Sequence, residues 1–191
     1  MYIIPEVITL KWETMTFSVV FIHGPASAGK YTIGSLVGEK LGIPLFHNHL
    51  TVDLVKTLFE FGTEGFKNLR AAVWRESFKA ACDAKQSFVF TFHPENSVDP
   101  SLMDELASLV RNAGGVVQYV ELTCSDDAIA QRIGGGSRKK FGKLTDAAIY
   151  RDLKEIGAFE FPPFPAPLVT IDTESLAAEI AAERIVEALT P

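Results

Sequence analysis

The stretch that most constrains this chain is residues 17–41, FSVVFIHGPASAGKYTIGSLVGEKL. It opens on an apolar run, 17–22, of the length and composition that form a fully buried strand. A glycine-bounded loop follows: Gly24, Pro25, Ala26, Ser27, Ala28, Gly29 and Lys30. Beyond it, Ile33, Leu36, Val37 and Leu41 recur at helical spacing. A strand, G-x-x-x-x-G-K and an amphipathic helix in that order make a phosphate-binding loop in its required context. Gly24 and Gly29 allow backbone angles that a side chain would forbid. The loop can then curl its N–H groups inward around a phosphate at the positive end of the helix dipole. Lys30 adds a point charge for the outer phosphates. The residue after this lysine is usually Ser or Thr, whose hydroxyl meets Mg²⁺; here it is Tyr31, with Thr32 next. Thr32, aided by water, is the expected metal-side residue, because Mg²⁺ keeps several waters and leans on substrate phosphates.

The rest of the chain alternates strand-like and helix-like segments. Strands are expected at 43–46, 87–92, 116–122 and 168–171, and helices at 52–61, 66–84, around Leu102 to Val110, around Ile129, to about Ile156 after Thr145 and Asp146, and at 174–189. That alternation predicts an α/β fold in which a parallel sheet of about five strands is covered by helices on both faces. The 191 residues, 47% hydrophobic and 22% charged, suit one domain. Residues 1–14 precede the opening strand and read either as an N-terminal extension, with Met15 as the natural start, or as an added edge strand.

Ligands of such sheets bind at the carboxyl ends of the strands. All four histidines fall there: His23 after strand one, His47 and His49 after strand two, His93 after strand three. Asp53 and Glu95 lie within a few residues of two of these ends. His23 fits a buried residue satisfied by backbone groups, whereas His47 and His49 fit an acceptor pocket. A zinc site is a weaker alternative, since H-x-H with one distant histidine matches no standard ligand spacing. A second constellation is basic: Arg132, Arg138, Lys139, Lys140 and Lys143 follow one another without an acid and flank the triplet Gly134-Gly135-Gly136.

The loop GPASAGKYT resembles that of nucleoside-monophosphate kinases. The chain as a whole resembles the shikimate, adenylate and gluconate kinase group. The runs LFHNHLT and FGKLTD are similar to a subgroup identified as AAA-family or shikimate-kinase-like ATPases. The resemblance implies a P-loop NTPase three-layer sandwich with ATP and Mg²⁺ as cofactors. It further implies transfer of the γ-phosphoryl group to a small-molecule acceptor. Residues 134–145 then correspond to a lid, whose arginines close over the phosphates; Arg132 and Arg138 are the expected transition-state partners. Asp53, His47 or His49 would orient or deprotonate the acceptor hydroxyl. Relatives carry an acid at the end of strand two and often an Asp near the end of strand three. Here those ends read His47-Asn48-His49 and Phe88-Val89-Phe90-Thr91-Phe92. The missing acid favours an alternative, a nucleotide-dependent regulator or binding module with slow or no ATP hydrolysis.

Charge and cysteine usage narrow the partners. The net charge of −6 argues against a nucleic-acid partner, including a nucleic-acid end kinase that would use the basic tract. Cys82 and Cys124 stand at no metal or redox spacing and read as reduced, half-buried small hydrophobes. No apolar run reaches membrane-spanning length, and the N-terminus lacks a signal-peptide pattern. A cytoplasmic monomer or homodimer is the expectation.

Overall fold

A computed structural model describes residues 17–133 and 146–190. Residues 1–14, Met15, and residues 134–145 expected as a lid, with Arg138, Lys139, Lys140 and Lys143, lie outside the described residues. In chain order the elements are β1 (Ser18–His23), α1 (Lys30–Leu41), β2 (Leu45–His47), α2 (Asn48–Lys56), α3 (Glu64–Asp83), β3 (Phe88–Phe92), α4 (Pro100–Asn112), β4 (Val116–Thr123), α5 (Asp126–Ile133), α6 (Ala147–Glu155), β5 (Val169–Asp172) and α7 (Ala178–Leu189). The five strands form one sheet in the order β2-β3-β1-β4-β5, and every pairing is parallel. This is the three-layer α/β sandwich expected from the alternation of elements.

The central strand explains the layering. All six residues of β1 are buried, so both of its faces must be covered. Val19 and Phe21 join Trp74, Phe78, Phe90, Leu106 and Val110 in the core under α3 and α4. Val20 and Ile22 join Ile33, Val37, Val120, Ile171 and Ile185 under α1 and α7. A smaller cluster of Ala26, Ile129, Ile133 and Tyr150 ties the loop after β1 to α5 and α6. Lys154 pairs with Asp126 across the same two helices. Among the described residues no helix is long and apolar enough to cross a membrane.

Two helices depart from expectation. The helix expected at 52–61 runs instead from Asn48 to Lys56. Leu54, Leu58 and Phe61, within the expected range, are 56%, 71% and 53% exposed; Val55 carries the packing. The closing helix starts at Ala178 rather than at 174. Asp172 Oδ1 accepts the Glu174 N–H at 2.9 Å, and such a local bond offers the backbone a turn in place of a helix. Cys82 is buried and Cys124 half-buried, and both thiols are free.

Candidate functional site

The site is built where β1 stops. Gly24 carries φ 150°, and a Cβ added there would lie 2.3 Å from the Leu122 carbonyl oxygen on neighbouring β4. Only glycine lets the chain leave the sheet at this point. Gly29, at φ 83°, caps α1, and Lys30 is its first residue. The Lys30 ammonium donates to the carbonyl oxygens of Gly24 at 2.8 Å and Pro25 at 2.5 Å. The cation is thus folded back over its own loop, at the helix N-terminus where an anion is favoured.

From this loop a cavity of about 790 Å³ runs across the carboxyl edge of the sheet. Ala26, Ser27, Gly29, Lys30, Tyr31 and Thr32 line it at the loop and the start of α1; Gly24, Pro25 and Ala28 are not among the lining residues. His47, Asn48 and His49 line it after β2, joined by Val52 and Phe61. Because β3 lies between β2 and β1, the residues after β3 join these two halves. They are His93, Glu95, Asn96 and Ser97, with Thr91 lining the cavity from within β3 itself. His93 Nδ1 sits 3.3 Å from the Gly24 carbonyl oxygen, a bond it makes as donor, and its ring lies 5.0 Å from that of Phe159. Tyr31 meets His47 edge-on at 4.9 Å between ring centroids, so its ring points along the β2 side of the site.

The residues singled out from sequence divide into groups. His47 and His49 reach the cavity beside Lys30 and Thr32. Asp53 is exposed on α2 and is not among the lining residues, which weakens its assignment as acceptor base. Arg132 lines the cavity, but its guanidinium is anchored at the end of β5. It donates to Thr173 Oγ1 at 3.1 Å, to the Thr173 carbonyl at 2.6 Å and to Cys124 Sγ at 3.4 Å. His23 is 6% exposed, its ring lies 4.5 Å from that of Phe164 at a tilt of 35°, and it does not line the cavity. Its Nε2 has no hydrogen-bond partner among the described residues, so the expected backbone satisfaction is not found there. Burial drives the imidazole's pKa down to about 4, with Glu121 opposing and Lys30 adding to the shift.

One group had no counterpart in the expectations. Arg70, 1% exposed, sits between the rings of Phe66 and Trp74, at 5.2 and 5.3 Å. Its Nη1 donates to Glu95 Oε1 at 2.7 Å and to Ser97 Oγ at 3.2 Å, and its Nη2 to the Ser97 carbonyl at 2.6 Å. Burial lowers the guanidinium's pKa, and Glu95 raises it in turn. The signal was present in sequence: Phe66, Arg70, Trp74, Phe78 and Cys82 recur every four residues, one charge inside an apolar stripe.

This fold, with a glycine-and-lysine loop at the head of α1, is that of P-loop kinases that act on small molecules. Solved structures of that class superpose over nearly the whole chain. A sugar kinase from Janibacter sp. matches at a TM-score of 0.62 and 18% identity, covering 91% of this chain and 94% of its own. The APS kinase of Mycobacterium tuberculosis, solved with AMPPNP and APS, matches at 0.61 and 14% identity, covering 93% and 99%. Shikimate kinase from Acinetobacter baumannii, solved with shikimate, matches at 0.57 and 18% identity, covering 94% and 96%. No protein-family model matches the sequence, and no curated protein matches it.

Proposed function

We propose that this protein is an ATP-dependent kinase that transfers the γ-phosphoryl group to a small-molecule acceptor. The observation that carries the proposal is the continuity of one cavity from Lys30 to the polar ends of β2 and β3. At about 790 Å³ it lies within the usual range for small-molecule sites, and it reaches well past the phosphate loop.

The residues present fit ATP and Mg²⁺. The glycine positions leave the loop backbone open to a close-approaching phosphate. The Lys30 ammonium, now on two loop carbonyls, can exchange them for phosphate oxygens. Thr32 is exposed on the first turn of α1 and lines the cavity, so its hydroxyl can hold Mg²⁺ directly or through water. Bound Mg²⁺ supplies charge neutralisation on the phosphates. His47 and His49 stand on the acceptor side, where positioning matters more than base strength. Arg132 lines the cavity with its guanidinium held by Thr173 and Cys124, and Arg132 and Arg138 are the candidate transition-state partners.

The absence of an acid on β3 favours the alternative, a nucleotide-dependent regulator with little turnover. Incubation with ATP, Mg²⁺ and a panel of acceptors separates the readings. A phosphorylated small molecule supports the kinase. Inorganic phosphate alone supports the regulator, and labelled oligonucleotide ends would indicate a nucleic-acid kinase.

A further inference from the structure

Resting on the kinase reading, we propose that Glu95, clamped by Arg70, binds the acceptor, and that the acceptor is an uncharged polyhydroxylated molecule. Three observations carry this. First, the clamp is built from inside the fold: the Arg70 side chain is 2% exposed, whereas that of Glu95 is 15% exposed and lines the cavity. A counterion with only a structural role has no need to open onto the site. Second, Arg70 Nη1 and Ser97 Oγ both donate to the same oxygen, Oε1, at 2.7 and 3.0 Å. Oε2 accepts no hydrogen bond from the described residues and is the atom left for a ligand's hydroxyl. Third, the loop bearing Glu95 is tied to the phosphate loop through His93 and Gly24, and to the segment after α6 through Asn96 N–H to the Ala158 carbonyl at 2.9 Å. Glu95 is therefore held in register with Lys30.

Charge selects the acceptor class. Arg70's charge is already matched by Glu95. Among the described residues, Lys56 is the single lysine or arginine lining the cavity on the β2 side. A phosphate or carboxylate brought to Glu95 would meet a carboxylate oxygen, and like charges in a half-buried site repel. A neutral hydroxyl donates to it instead, while Val52, Phe61 and Phe159 offer apolar walls for carbon faces. In the transfer, the hydroxyl oxygen bonds to the γ-phosphorus and the bond from that phosphorus to the β,γ-bridging oxygen breaks. ADP leaves with the electron pair, and the hydroxyl proton passes to Glu95 and then to water.

The test uses the full chain with ATP, Mg²⁺ and two sets of probes. One set is neutral: glycerol, ribose, glucose, myo-inositol and adenosine. The other is anionic: glycerate, gluconate, shikimate and the nucleoside monophosphates. ADP release and the phosphorylated product are measured for each, and ATP affinity is measured separately by calorimetry. The expected result is transfer to a member of the neutral set and none to the anionic set. Glu95→Gln should lower kcat/KM for that acceptor about tenfold to a hundredfold, the loss of one hydrogen bond to a charged group, with ATP affinity unchanged. Should Glu95→Gln fold poorly with Arg70 unmatched, the double variant Arg70→Met/Glu95→Gln keeps the core filled and should show the same selective loss. Transfer to an anionic probe, or a Glu95→Gln variant with undiminished kcat/KM, overturns the assignment while leaving the kinase reading intact. No transfer to any probe, with ATP still bound, overturns the kinase reading and this assignment with it.

Discussion

Replacing Arg70 with methionine should destabilise the fold while leaving its shape unchanged. Methionine keeps an apolar side chain between Phe66 and Trp74 but removes all three bonds to Glu95 and Ser97. Removing one partner of a buried ion pair costs about 3–5 kcal/mol, because the other charge stays behind uncompensated. Glu95 borders the cavity and is 15% exposed in its side chain, so water can partly replace the guanidinium. The lower end, about 3 kcal/mol, is therefore expected. For a chain of this size that corresponds to a Tm lower by roughly 6–12 °C. In Arg70→Met/Glu95→Gln both charges are gone, and most of the loss should return, to within about 1 kcal/mol of wild type. Differential scanning calorimetry on the three proteins reads this directly. If Arg70→Met melts with the wild type, the clamp contributes nothing. If the double variant melts as low as the single, the loss came from packing and not from an unmatched charge.

Three further outcomes follow from the site and its supports. Lys30→Ala should weaken ATP binding and remove turnover, since its ammonium is held over the phosphate-binding loop; unchanged calorimetric ATP affinity would contradict the loop assignment. Gly24→Ala should cost about 1–3 kcal/mol, as overpacking does, and should loosen ATP, because the added Cβ meets backbone at 2.3 Å and a backbone carbonyl cannot rotate away. A variant with wild-type urea midpoint and ATP affinity would contradict that close approach. His23 should make the fold acid-sensitive: with its folded pKa depressed to about 4, the unfolded chain binds the proton first. That contribution is complete above about pH 6.5 and is lost as pH falls toward 4, about 3 kcal/mol at most. Urea melts of wild type and His23→Phe at pH 7.5, 5.5 and 4.5 check this, the variant being expected to lose less stability on acidification.

Local chemistry decided how much was legible in the sequence. The order apolar run, glycine loop, periodic helix left β1 and α1 few alternatives, because each signal is short-range and all agree. The apolar spacing from Leu102 to Val110 likewise located α4, whose start is fixed in the structure by Asp99 accepting the Ser101 N–H and by Pro100. The register of α2 was hidden because His47 supplies no capping side chain and because large apolar residues remain at the surface. Periodicity reports amphipathicity only when the apolar side is the buried one. The strand order, with β3 inserted between β2 and β1, depends on long-range pairing that no window of sequence contains. That insertion is what brings Glu95 and His93 beside the phosphate loop; Asp53 is off the cavity although its α2 neighbours Val52 and Lys56 line it. Arg70 was visible as a charge within a stripe of Phe66, Trp74 and Phe78, but its partner lies 25 residues away across a helix-to-strand turn.

Phosphoryl transfer is read directly by phosphorus NMR of the protein with ATP, Mg²⁺ and the acceptor panel. The γ-phosphate resonance of ATP should decline while ADP and a new phosphomonoester resonance grow together, and Lys30→Ala should abolish both changes. Growth of ADP with inorganic phosphate alone, or a Lys30→Ala variant that turns over like wild type, would contradict it.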